Sequence, residues 1–395
     1  MSDLLTRSPG WSLPQAAYTD PDLYDADLDR VFAAHWLFAG HTAELDAPGR
    51  YLTVDVGRDR VIVVRGEDGA VHAHHDVCAH RGSRVTAEPR GRVKAFVCPY
   101  HQWVYGLDGT LRSARLMGDC FATASYRLAP VAVRETAGLV FVCLADDPPA
   151  FEPFAAALEP RLGPHGLADA RIAVRHHYRV AANWKTLVEN NRECYHCAGS
   201  HPEFSLSNFD VGVHGDVRTN PRYDRALADA RAHWSAQGLP AEDVSFPGGD
   251  WYRIARLPLR EGYVSETLDG QPLAPPMGTL SDPDVGSLRM VSLPNMWGHA
   301  NADYAMTTRL TPVDVATTDV ELCFLVARDA VVDEDDLAAV WRATSEQDWE
   351  LCERNYAGIA SRGYRPGPLS PVVEASVESF LDWYLDALGG AARAA

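Results

Sequence analysis

Cys78-Ala79-His80 and, after seventeen intervening residues, Cys98-Pro99-Tyr100-His101 constrain this chain more than any other part of it. Each loop offers one thiolate and one imidazole, so the fold must bring both loops to one point to use them. Two cysteines on one iron and two histidines on the other form the ligand set of a mixed-ligand [2Fe–2S] cluster. Neutral imidazoles leave such a cluster less negative than four thiolates do, which raises its reduction potential and suits it to passing single electrons onward. A Cys2His2 zinc site draws on the same residue types. Classical zinc-finger order keeps like ligands together, whereas here they alternate, and the iron–sulfur reading is preferred.

The segments around these loops read as β-structure. Period-two and β-branched runs occur at residues 51–56, 61–64, 93–97, 131–135 and 139–144, separated by turns such as Gly66-Glu67-Asp68-Gly69 and Leu107-Asp108-Gly109. They predict an all-β module over residues 41–148, closed by Asp146-Asp147-Pro148-Pro149, with the ligand loops at its tip. Before it, residues 20–36 predict an amphipathic helix with Leu23, Leu28, Val31, Phe32 and Trp36 on one side, within an N-terminal segment 1–40. After it, residues 149–395 mix helix and strand: strands at 172–180, 288–293, 304–311 and 320–327, and helices at 183–197, 334–361 and 373–388. Residues 204–250 read as loop-rich.

A second metal site is suggested by Glu193-Cys194-Tyr195-His196-Cys197-Ala198-Gly199-Ser200-His201. Glu193 and His196 share a face if the segment is helical. His196 and His201 are about 140° apart on an unbroken helix, so they meet at one metal only if the helix stops between them. Gly199-Ser200 and Pro202 are plausible terminators. Two converging histidines suit a mononuclear iron whose third ligand is an oxygen donor. The helix at 334–361 offers Asp348 on a stripe with Leu337, Trp341, Thr344, Leu351, Cys352, Asn355 and Ile359, while Glu346, Glu350 and Glu353 fall opposite. A lone carboxylate on a core-facing stripe is expensive unless paired. Metal coordination removes that cost; an ion pair with a buried arginine is the competing account.

Cys194 and Cys197 form a C-x-x-C inside the predicted helix and read as small apolar core residues rather than a redox dithiol. His72, His74 and His75, and the pair His176-His177, read as surface or supporting residues. The net charge of −18 argues against nucleic acid or an anionic membrane as partner. Residue usage is that of an ordinary globular chain, no apolar run approaches membrane-spanning length, and the N-terminus lacks a signal-peptide pattern, so a reducing cytoplasm is expected. No nicotinamide or flavin fingerprint occurs, so electrons are expected from a separate protein.

Taken together, the two ligand loops, Asn183-Trp184-Lys185, the E-x-x-H-x4-H segment and the late aspartate resemble the catalytic α subunit of Rieske non-haem iron oxygenases over nearly the whole chain. Respiratory Rieske proteins carry an extra cysteine in each loop; Ser83 and Tyr100 stand here, as in the oxygenase kind. The resemblance implies an α+β architecture: an all-β Rieske domain, then a helix-grip-like catalytic domain with an antiparallel sheet and a long C-terminal helix. It implies Cys78, His80, Cys98 and His101 as cluster ligands and His196, His201 and Asp348 as ligands of a mononuclear Fe(II). It further implies a homotrimer in which Glu193 bridges to a cluster histidine, His101, of the adjacent subunit, and a flavin/ferredoxin-type reductase using NAD(P)H. The words around Glu193, Glu346-Gln347-Asp348-Trp349 and the tail from Ser370 to Tyr384 resemble the quaternary-ammonium branch, which includes glycine betaine, proline betaine, carnitine and choline oxygenases. Its demethylases hydroxylate an N-methyl group, and the product falls apart into amine and formaldehyde. A quaternary amine should sit against aromatic faces, for which Trp251, Tyr252, Tyr263, Trp297 and Tyr304 are candidates. A ring-hydroxylating dioxygenase acting on an aromatic substrate is the alternative, and a non-catalytic Rieske electron carrier a third that leaves the His-His-Asp set without purpose.

Overall fold

The computed structural model describes residues 5–118, 120–212, 216–244 and 251–389. In the first half, valine-rich runs pair into a four-stranded sheet ordered Val71–His75, Asp59–Arg65, Arg50–Val56, Arg90–Arg92. A three-stranded sheet of Phe96–Val97, Val104–Tyr105 and Leu111–Ser113 stacks beside it. Their shared core contains Ile62, Val64, Phe96, Trp103 and Tyr105, and closes over Cys78 and Cys98. The expected strand at 93–97 is split, because Arg92 still pairs with Arg50 while Phe96 has turned to pair with Tyr105. A further sheet of Leu37–His41, Leu139–Cys143 and Ala132–Thr136 completes this half.

The second half is built on a six-stranded antiparallel sheet: Ala170–Val180, Thr317–Ala327, Tyr304–Asp314, Met296–Ala300, Ser287–Ser292, Tyr252–Leu257. The helix Glu334–Ile359 packs against this sheet and against the helix Trp184–Asn191. Gly298 is required at its position, since a Cβ there would lie 2.7 Å from the Met306 carbonyl oxygen of the neighbouring strand. The α+β architecture expected from the sequence, with an antiparallel sheet and a long C-terminal helix, is what the chain forms.

Four elements differ from expectation. The predicted N-terminal helix is α-helical only over Pro21–Asp27, capped by Asp20, and continues as a π-helical turn, Leu28–Phe32. Asp27, one of the acidic residues between its apolar positions, is completely buried. Its carboxylate accepts from Trp184 Nε1 at 3.0 Å and Tyr384 Oη at 2.8 Å and pairs with Lys185. The loop-rich region contains a helix, Pro221–Ala236, capped by Asn220. It escapes a periodicity reading because only Tyr223 and Trp234 on it are buried. The strands Tyr252–Leu257 and Met296–Ala300 are buried throughout, so they lack the alternation that marks a half-exposed strand.

Candidate active site and cluster site

Cys78 and Cys98 are buried at the tip of the first half, and the histidines of the same two loops converge beside them. The His80 and His101 rings lie 4.5 Å apart, and His80 stacks on Trp103 at 4.7 Å. Among the described residues the Nδ1 atoms of both histidines are buried without a hydrogen-bond partner. Two orphaned imidazole nitrogens on the same two loops as two buried sulfurs fit a metal group. Tyr105 Oη lies 3.1 Å from the Cys78 sulfur and accepts from the Ala79 amide at 3.0 Å. Burial raises the Cys98 thiol, but the main-chain amides of Tyr100 and His101 outweigh it and hold the thiol below its ordinary value. Nearby, His74 is buried and its Nε2 lies 3.0 Å from the Leu107 carbonyl, bracing the turn after the second loop. His72 pairs with Asp68 at 3.0 Å.

The second site forms where the metal-rich segment departs from the helix expected of it. Asn183 caps the helix Trp184–Asn191, which stops two residues before Glu193. A second, one-turn helix, Cys197–Ser200, then starts at His196 and ends at His201. The chain thus breaks on both sides of His196 rather than once after it. This bend also corrects the reading of the C-x-x-C: Cys194 and Cys197 are buried, but their sulfurs are joined in a disulfide, their Cα atoms 5.0 Å apart.

His196 Nε2 and His201 Nε2 both face Asp348 Oδ1, at 3.3 and 3.0 Å. Neither His201 Nε2 nor Asp348 Oδ1 has a partner in hydrogen-bonding geometry among the described residues. Donor atoms about 3 Å apart without a bond between them are what adjacent ligands about 2.1 Å from one metal show. The opposite nitrogens are held. His196 Nδ1 donates to Glu193 Oε1 at 2.6 Å, and His201 Nδ1 to Gln347 Oε1 at 2.8 Å. Gln347 Nε2 donates to Glu203 Oε2 at 2.9 Å, which settles which end of the amide is oxygen. Burial disfavours the His196 imidazolium, yet Asp348 and Glu193 together raise it to about 10. Burial likewise works against ionisation of Asp348, and the two histidines overcome it, holding the carboxyl below its usual value. The predicted stripe on the long helix holds at Leu337, Trp341, Thr344, Cys352 and Ile359, all buried; Asn355 is exposed instead.

A cavity of about 70 Å³ opens beside these three residues, walled by Phe204, Arg289, Trp297, His299, Trp341 and Thr344 among others. Of the five aromatic candidates only Trp297 lines it. Trp251 and Tyr252 pack on Phe154, with ring centroids 4.7 and 5.1 Å from it. Tyr304 lies behind the wall, donating to the Glu266 carbonyl at 2.7 Å and accepting from Trp341 Nε1 at 3.0 Å. Tyr263 is half-buried in a loop, against Gly270. Sequence reasoning passed over Gln347, Phe204 and Arg289. Trp341 and Thr344 were legible on the Asp348 stripe, but nothing in their spacing marked them as cavity walls.

A mixed-ligand cluster site at the tip of a β module, joined to a His-His-Asp centre on a sheet-and-helix scaffold, defines a Rieske-type oxygenase. Residues 35–127 match the Rieske [2Fe-2S] domain family, and residues 167–390 the ring hydroxylating alpha subunit (catalytic domain) family. The chain belongs to these oxygenase alpha subunits, and its cofactors are a Rieske [2Fe–2S] cluster and a mononuclear iron. It is 43% identical to the glycine betaine monooxygenase oxygenase subunit of Chromohalobacter salexigens, over 98% of this chain and 88% of that protein. It is 42% identical to the Pseudomonas aeruginosa subunit of the same name, over 96% and 90%. The fold is shared with a quaternary ammonium Rieske monooxygenase solved with L-carnitine, at a TM-score of 0.72 and 22% identity over 96% of each chain. Among the described residues no helix is long and apolar enough to cross a membrane.

Proposed function

We propose that this chain is the terminal oxygenase that removes an N-methyl group from glycine betaine or a near analogue such as proline betaine. Dioxygen is the oxidant, and NAD(P)H supplies electrons through a separate flavin/ferredoxin-type reductase. One oxygen atom enters a C–H bond of the N-methyl group; the other leaves as water with two electrons and two protons. The N-hydroxymethyl product then loses formaldehyde and a proton to give the demethylated amine. The observation carrying this reading is the 43% identity to a glycine betaine monooxygenase oxygenase subunit along 98% of the chain. The cavity is in keeping with it in scale: it is small, about 70 Å³, against several hundred Å³ for typical drug-sized ligands.

In this reading Cys78, His80, Cys98 and His101 hold the cluster, and His196, His201 and Asp348 hold Fe(II). When bound, the cluster supplies single electrons and the iron supplies dioxygen activation beside the substrate. The protein's part is positional. Glu193 and Gln347 hold the Nδ1–H of each histidine, so that both Nε2 atoms face Asp348. Tyr105 gives the Cys78 sulfur a hydrogen bond, which tunes a cluster's potential. Phe204, Trp297 and Trp341 wall the cavity with apolar surface that limits water at the reacting C–H. The assembly is a homotrimer in the cytoplasm, with Glu193 facing the partner subunit's His101; the acidic surface fits neither nucleic acid nor an anionic membrane.

Incubating the cluster- and iron-loaded protein with NADH, a reductase and glycine betaine should release formaldehyde in step with oxygen consumed. A catechol or cis-diol from an aromatic substrate, with no formaldehyde from any betaine, sinks the proposal.

A further inference from the structure

We propose that Arg289 is the anchor for the carboxylate of the substrate, a role that rests on the betaine reading above. The cavity carries the His-His-Asp cluster and several aromatic walls, and among its described lining residues Arg289 is the one arginine or lysine. It stands on the strand Ser287–Ser292 directly opposite His299, with Val291 opposite Trp297 on the same face. All four side chains therefore point from the sheet toward the helix that carries Asp348.

The guanidinium is buried, at 7% exposure, yet incompletely satisfied. Its Nη2 donates to Asn208 Oδ1 at 2.6 Å, and among the described residues that is its only hydrogen bond. Among the described residues Nε is buried with no partner, Nη1 makes no hydrogen bond, and no carboxylate lies within ion-pair distance. Among the described carboxylates, the field of Glu266 reaches Arg289. Its oxygens are already engaged, Oε1 with His299 Nδ1 and Oε2 with Asn301 Nδ2, each at 3.2 Å. A buried arginine with idle donors is costly unless something supplies the missing anion. Asn208 meanwhile fixes the orientation of the fork, which pre-organises it for a planar carboxylate.

The spacing fits a short zwitterion. The Phe204 ring lies 6.4 Å from the His201 ring, and the Arg289 guanidinium carbon sits over it at 5.6 Å. One aromatic ring thus neighbours both the His-His-Asp cluster and the cation. A carboxylate held by Arg289 directs the quaternary nitrogen back along Phe204, Trp341 and Trp297, with an N-methyl group turned toward His196, His201 and Asp348. Arg289 repels the substrate's own cation, so the molecule enters in one orientation only. The Arg289 side therefore decides which end reacts, and it disfavours amines that lack an acid group.

The test compares wild type, Arg289→Met and Arg289→Lys, each loaded with cluster and iron, by formaldehyde release from glycine betaine and from choline, which keeps the trimethylammonium but has no carboxylate. Wild type should prefer glycine betaine by about 100-fold or more in kcat/KM. Arg289→Met should erase most of that preference through a rise in KM for glycine betaine, with choline turnover no lower than in wild type and cluster absorbance and iron content intact. Arg289→Lys should recover part of it. A kcat/KM for glycine betaine within threefold of wild type in Arg289→Met overturns the anchor while leaving the demethylase reading standing. No formaldehyde from wild type with any carboxylated quaternary amine overturns that reading first. If Arg289→Met does not yield loaded protein, the wild type decides: a preference below tenfold over choline overturns the anchor.

Discussion

Gln347 shows how a single neutral side chain can hold a histidine of the proposed iron site. Its Oε1 takes the Nδ1 proton of His201 at 2.8 Å, and Glu203 holds its other end at 2.9 Å. Residues of this kind fix the tautomer and the ring plane of a ligating imidazole, and removing one typically weakens metal binding about 10–100-fold. Gln347→Leu should therefore lower the affinity for the mononuclear iron by that factor, while the visible absorbance of the cluster stays unchanged. Equal iron retention during dialysis against a chelator would show the hydrogen bond to be dispensable. Glu193 does the same for His196, but with a charge; against the opposing effect of burial, Asp348 and Glu193 together raise the His196 imidazole to about 10. Asp348 was legible as a lone carboxylate among apolar neighbours. Gln347 was not, because a glutamine beside it in sequence has no signature until His201 arrives from 146 residues away.

At the scale of elements, the segment that carries Glu193 and His196 is held from its start. Asn183 accepts from the Lys185 amide at 3.1 Å and donates to the Val315 carbonyl at 2.9 Å, fully buried. Asn183→Ala removes the cap and one of the two hydrogen bonds to the Val315 oxygen, the other being from Tyr356 Oη at 3.3 Å. It should destabilise the fold by about 1–2 kcal/mol in urea unfolding. An unchanged midpoint would mean that packing of Trp184 and Leu187 alone sets this helix. The long helix was readable from its periodicity. The interruption after Asn191 was not, since nothing between Arg192 and Tyr195 is a glycine or proline. Burial of Arg192 and of both linked cysteines draws the chain out of helical geometry there.

Across the whole molecule, the two halves are joined by a cluster of charges. Arg90 from the cluster-bearing half reaches Glu44 at 2.9 Å and Glu321 at 2.8 Å, and Arg175 and Arg309 from the large sheet converge on the same carboxylates. Burial opposes ionisation of Glu321, but Arg309, Arg90 and Arg175 outweigh it and lower its pKa from 4.5 to about 2. A depressed carboxylate contributes stability that is complete above its unfolded value and is lost as pH falls through the folded one. The stability difference between wild type and Glu321→Gln should therefore be constant above pH 4.5 and shrink by up to about 3 kcal/mol on approaching pH 2. A pH-independent difference would dismiss this network as a contributor. The same long-range logic governs what could be read in advance. The cluster type, the β character of the first half and the long helix were settled by the sequence itself, because they depend on residue order and on periods of two and 3.6. The bend around His196, the burial of Asp27 beneath Lys185, the disulfide and the placing of Arg289 rather than Tyr252 at the cavity were decided only by the tertiary structure. Each depends on which distant strand or helix arrives to neutralise a charge or cover a face, and no local pattern encodes that meeting.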